Sequence, residues 1–240
     1  MALGSQPRWS APPAYGAAQA GIDAGLRDYM LRIYNYMASG LALTGIVSYV
    51  FAQYLFAHPA LARSPIMFVL MLAPIGLVMW LSFGIERMRA STAQTLFWVY
   101  AGVMGLSLAS VFLVFTGESI ARVFFITAGT FSAMSIFGYT TRRDLSQIGS
   151  FLFMGLIGII IAGLVNIFLA SSALQFAISV IGVLVFAGLT AWDTQKIKEM
   201  YDVNDDGTVS GRKAVMGALS LYLDFINLFL MMLRLFGDRR

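Results

Sequence analysis

Asp224 is the residue from which any chemistry must be sought. It lies near the middle of AVMGALSLYLDFINLFLMMLRLFG (Ala214 to Gly237), a stretch apolar and long enough to cross a bilayer. A helix rises ~1.5 Å per residue and must cover ~30 Å of hydrocarbon, which sets Asp224 close to the midplane. An ionised carboxylate there costs on the order of 3 kcal/mol or more, so such groups face a protein interior or a watery cavity and mark ion or substrate paths. Gly217, Ser220, Asp224, Asn227, Met231 and Arg234 recur at intervals of three and four, which places them on one stripe. The stripe is expected to face inward, with Ser220 and Asn227 as pore-lining candidates beside Asp224. The competing reading is structural: an aspartate kept neutral, or paired with Arg234, to fix helix packing.

Asp193 is the second carboxylate. In GLTAWDTQKIKEMY it closes the sixth apolar stretch, beside Trp192 as an interface anchor. Helix arithmetic sets it about 15 Å from Asp224 in depth, so contact requires a tilted or extended sixth helix, or a cavity. If the two meet, they share a proton over some pH range. Paired carboxylates also suit an intramembrane aspartyl protease, but Asp224 sits in Leu-Asp-Phe without the glycine flank that class requires. The chain is expected not to be an enzyme.

The elements that must hold these residues follow from composition. Apolar residues make up 59% and charged residues 12%, against about 45–50% and about 25% in soluble domains. A polytopic membrane protein is the reading. Cysteine is absent, which excludes disulfides, thiol chemistry and Cys-based metal sites. The single histidine, His58, lies in the turn FAHPALARSP and is expected to be solvated rather than a ligand. The net charge of +4 is explained by basic residues at helix ends, so no nucleic-acid partner is expected.

In chain order, residues 1–30 read as a disordered tail without a secretory h-region, and residues 31–240 as one seven-helix domain. Spans are expected at Tyr34 to Phe56, Ile66 to Ile85 (kinked at Pro74), Gln94 to Phe115, Ile120 to Tyr139, Ile148 to Leu169, Leu174 to Trp192 and Ala214 to Phe236. The series Ala101, Gly105, Ala109 and Gly155, Gly158, Gly163 are expected to let neighbouring helices approach. On the side of the tail and the even loops lie 11 basic residues (Arg8, Arg27, Arg32, Arg87, Arg89, Arg142, Arg143, Lys196, Lys198, Arg212, Lys213). The other side has 5 (Arg63, Arg122, Arg234, Arg239, Arg240). The bias puts the N-terminus in the cytosol and the C-terminus outside.

AWDTQKIKEMY followed by ALSLYLDFINLFLMMLRLFG, with GYTTRRDLSQIGSFLFMGLIGIIIAGLVNIF before them, resembles the Bax inhibitor-1 family in the style of its bacterial members. The resemblance covers about Arg27 to Phe236. It implies an all-α integral membrane fold in which two three-helix groups wrap a central last helix, in the bacterial cytoplasmic membrane. It also implies a calcium leak gated by a pH-sensitive aspartate pair, here Asp193 and Asp224, with calcium as the permeant or bound ion and no other cofactor. In that family an arginine at the end of the second helix can pair with the dyad; in IERMRAS the best match is Arg87. The alternative is a membrane-embedded regulator partnered with a membrane protease or stress-response complex.

One further stretch invites calcium. Asp202-Val-Asn204-Asp205-Asp206-Gly207-Thr208-Val209-Ser210 fits nine positions of an EF-hand loop, but Lys213 stands where the bidentate glutamate belongs. A polar turn is the expectation.

Overall fold

In hydrocarbon a backbone must satisfy its own hydrogen bonds, and apolar stretches of some 20 residues joined by short polar turns do so as helices. The computed structural model describes the backbone of residues 14–84 and 88–240, and side chains over 24–84 and 88–240. Among the described residues are α1 (Ala14–Ala57), α2 (Pro59–Ala62), α3 (Pro65–Gly84), α4 (Ala90–Val114), α5 (Gly117–Thr140), α6 (Ser146–Leu169), α7 (Ser172–Glu199) and α8 (Gly207–Phe236). All but α2 are long and apolar enough to cross a membrane. The protein is an all-α multi-pass membrane protein.

The last helix is the centre. Its apolar window is 72% buried, whereas the other six spans lie between 6% and 39%. A helix that is apolar nearly all round is covered nearly all round, and α8 touches α1, α4, α5 and α7. On one side α1 and α3 pack on α4; on the other, α5 and α6 pack on α7. The outer spans leave large side chains such as Phe68, Ile160 and Phe168 exposed, which lipid covers.

Close helix approach occurs where the first small-residue series predicts it. Ala101, Gly105 and Ala109 are all buried on α4, and a Cβ on Gly105 would come to 2.8 Å from the Thr44 carbonyl of α1. Thr44 Oγ1 completes the seam by donating to Ala101 O at 2.8 Å. The second series departs from expectation. Gly155 faces Val185 of α7, but Gly158 and Gly163 meet open space, because among the described residues no helix lies against the rest of that face of α6.

Three boundaries also move. Residues 1–13 of the expected tail lie outside the described residues, but the chain is helical from Ala14, well before residue 30. Leu26, Tyr29, Met30, Ile33 and Met37 recur at helical spacing and pack into the core, and Tyr29 lies 5.5 Å from the Tyr201 ring. The Ala, Gly, Pro and Ser residues before them hid that face. The helix α7 continues past Trp192 to Glu199, and α8 begins at Gly207 rather than Ala214, started by Asp206, whose Oδ1 accepts from the N–H groups of Thr208 and Val209 at 2.8 and 2.7 Å. Pro74 lies inside α3, which runs through it. His58 precedes α2 as its N-cap; it is exposed and its ring stacks on Tyr54 at 4.2 Å, as a turn residue should.

Candidate functional site

The two aspartates meet because α7 and α8 run antiparallel with a pronounced slip. Gly182 lies against Met231, Asp193 against Asp224, and Ile197 against Gly217. Helices joined at Glu199 and Gly207 by a tight turn would not bring those residues level. The joint is not tight: Lys213 Nζ donates to Met200 O at 3.0 Å, so the first turns of α8 project past the end of α7. That projection brings Asp224 up to Asp193.

The carboxyls of Asp193 and Asp224 lie within hydrogen-bonding reach of each other. An ionised carboxylate only accepts, so a hydrogen bond between them would require a proton on one of the two. Asp224 is 6% exposed, and among the described residues its buried Oδ2 has no hydrogen-bond donor. Asp193 is half-buried; Lys196 is the cation whose field reaches it, and the Lys196 ammonium lies 5.1 Å from the Trp192 ring. Of the inward stripe, Gly217, Asp224 and Met231 all face α7. Ser220 and Asn227 are half-buried, and Asn227 Nδ2 donates to Leu223 O of its own helix at 2.8 Å. Arg234 is exposed, a little under three turns beyond Asp224. Arg87 lies outside the described residues.

Two neighbours of Asp193 matter, and sequence reasoning passed over both. Thr194 Oγ1 lies 3.0 Å from Ser135 Oγ, which lies 2.6 Å from the Tyr34 hydroxyl, a chain that ties α7 to α5 and α1. Gln195 Oε1 accepts from Leu145 N–H at 2.8 Å and its Nε2 donates to Arg143 O at 2.9 Å, tying α7 to the α5–α6 joint. Successive residues on a helix point about 100° apart, so Asp193, Thr194 and Gln195 reach three different elements. The signal available was polar side chains inside an apolar helix.

Beyond the dyad toward the C-terminal end of α8 the interior is closed. A Cβ on Gly182 would lie 2.8 Å from the Met231 side chain, Thr127 Oγ1 contacts Met232 Sδ at 3.3 Å, and Leu228 is fully buried.

The EF-hand-like loop builds the joint. Asp202 Oδ1 accepts from Asn204 N–H and Nδ2 at 2.9 and 3.0 Å, bonds that hold its carboxyl below the usual range. Asp205 pairs with Lys213 at 2.6 Å, and Asp206 caps α8. Among the described residues no group of three His, Asp or Glu side chains could hold a metal ion.

The family described as inhibitor of apoptosis-promoting Bax1 matches residues 26–240. An uncharacterized protein of Rickettsia prowazekii is 51% identical over 219 residues, which cover 91% of this chain and 93% of that one. The inner membrane protein YbhL of Escherichia coli K12 is 48% identical over 220 residues, covering 90% and 94%. An uncharacterized protein of Caulobacter vibrioides is 42% identical over 233 residues, covering 93% of each.

Proposed function

Because the chain belongs to the Bax inhibitor-1 family, we propose that it is a pH-sensitive calcium leak of the bacterial inner membrane, gated by Asp193 and Asp224. The observation that carries this reading is the juxtaposition of two carboxyls at the interface of the central helix with α7. With one proton shared, α7 and α8 are bonded together and the path past Leu228, Met231 and Met232 is shut. Loss of that proton leaves two anions side by side, a repulsion on the order of 4 kcal/mol at ~4 Å and an effective dielectric of ~20. Separation of the helices, or capture of a cation, relieves it. Calcium, which prefers carboxylate oxygens, suits the opened pair, and Arg87 is the alternative counter-charge. Calcium uptake by liposomes holding the purified protein tests the reading: uptake above that of empty liposomes, rising with pH, is expected. No protein-dependent uptake at any pH would replace the leak with a regulator of a membrane protease or another membrane complex.

The likeness to an inner membrane protein and the excess of basic residues on the tail side support a cytosolic N-terminus and an external C-terminus. A reporter active only outside the cytosol should work after Arg240 and fail before Met1. Equal signals from both ends would contradict seven crossings.

The acidic loop is assigned no part in conduction. Alanine at Asp202, Asn204 and Asp206 together should leave calcium flux nearly unchanged while lowering stability by about 1 kcal/mol, through loss of the Asp206 cap. Flux and a thermal melt on the same preparation check both parts. Loss of most flux in a normally folded variant would return calcium binding to this loop.

A further inference from the structure

The seam between the two three-helix groups does not close where α1 faces α5. A cavity of about 590 Å³ opens there, lined among others by Arg27, Met30, Tyr34, Phe131, Ser132 and Tyr139. A second, of about 540 Å³, continues it along α1 from Met37 to Ile46, with Phe225 of α8 in its wall and no charged residue. Charge therefore gathers at one end only. Arg27 lines the mouth and has no ion-pair partner among the described residues. Beside it, Lys198 Nζ donates to Tyr139 O at 2.9 Å and lies 5.1 Å from the Tyr139 ring. From Arg27 to Ala38, the extent of the first cavity along α1, the helix rises about 16 Å, against about 15 Å for half of a hydrocarbon core.

We propose that this half of the α1–α5 groove binds one phospholipid, with an acyl chain between α1 and α5 and the phosphate on Arg27. The depth is that of one leaflet, the lower lining is apolar, and the single cationic mouth sits where a headgroup would be. Tyrosines at that level suit the interface, each with an apolar body and a polar tip. Tyr34 and Ser135 of the groove wall bond to each other, and Ser135 bonds behind the wall to Thr194, the residue after Asp193. The bound lipid thus packs against the support of the dyad, which is a role no residue of the pair itself supplies.

Native mass spectrometry of the detergent-purified protein tests this, with phosphatidylglycerol, phosphatidylethanolamine or glycerol 3-phosphate added. The wild type should hold one phospholipid, prefer phosphatidylglycerol, and not retain glycerol 3-phosphate. Arg27→Gln should weaken retention of phosphatidylglycerol by about fivefold. Ala38→Phe and Ser132→Phe add bulk at exposed positions of the groove wall, so each should melt as the wild type does and lose the lipid. Equal retention by the wild type and both phenylalanine variants would overturn the site, and an unchanged affinity in Arg27→Gln would overturn the headgroup assignment. Tight binding of glycerol 3-phosphate alone would mean a phosphate site without a chain. A wild-type dimer that Ser132→Phe converts to a monomer would mean that a second copy fills the groove.

Discussion

Asp193→Asn and Asp224→Asn should each flatten the dependence of calcium flux on pH. In the proposed gate the shut state holds one proton more than the open state, so acid favours it and rising pH favours opening, by at most about tenfold in the ratio per pH unit. Asparagine keeps nearly the shape of aspartate, and its amide can donate to the remaining carboxylate, so the helices stay bonded with no proton to lose. A basal leak can survive in either variant, but the step with pH should not. Fluxes measured over a pH series at a fixed calcium gradient give the comparison. Both variants keeping the wild-type profile would place the proton sensor elsewhere.

A second large effect concerns stability. Asp193→Leu alone should destabilise the protein by roughly 2–5 kcal/mol, because it strands Asp224 without its only partner among the described residues, in an interior shared with Leu221, Tyr222 and Leu228. Asp193→Leu with Asp224→Leu should recover most of that loss, since both polar groups then leave together and the replacements are apolar. Additive losses in reversible unfolding from detergent micelles would show that the carboxyls do not interact.

How much of this could be read beforehand depends on the residue. Half of the polar stripe of the last helix was legible, since spacing alone put Gly217, Asp224 and Met231 on one side and all three face α7, whereas Arg234 of the same stripe is exposed. The depth of the pair was not. Hydropathy marks only the part of a helix that lies in hydrocarbon, and the polar turns from Asp193 to Glu199 and from Gly207 to Lys213 are helical all the same. Counting from Trp192 and Ala214 treated those ends as level, whereas the projection of α8 past α7 closes the gap of about 15 Å. Thr194 and Gln195 act through hydrogen bonds to residues some 50 or more positions away, which neither periodicity nor composition encodes. The early start of α1 was recoverable, because Leu26, Tyr29, Met30 and Ile33 carry the helical spacing; the small and polar residues before them masked it.

In the proposed gate a shared proton joins geometry to gating, and infrared difference spectroscopy of the protonated carboxyl band across a pH series reads it directly. In the wild type the band should fade over the range in which calcium flux rises, and the fading component should be absent from Asp193→Asn and from Asp224→Asn. A band that persists while flux rises, or one that titrates unchanged in both variants, would contradict a gate held shut by a proton between Asp193 and Asp224.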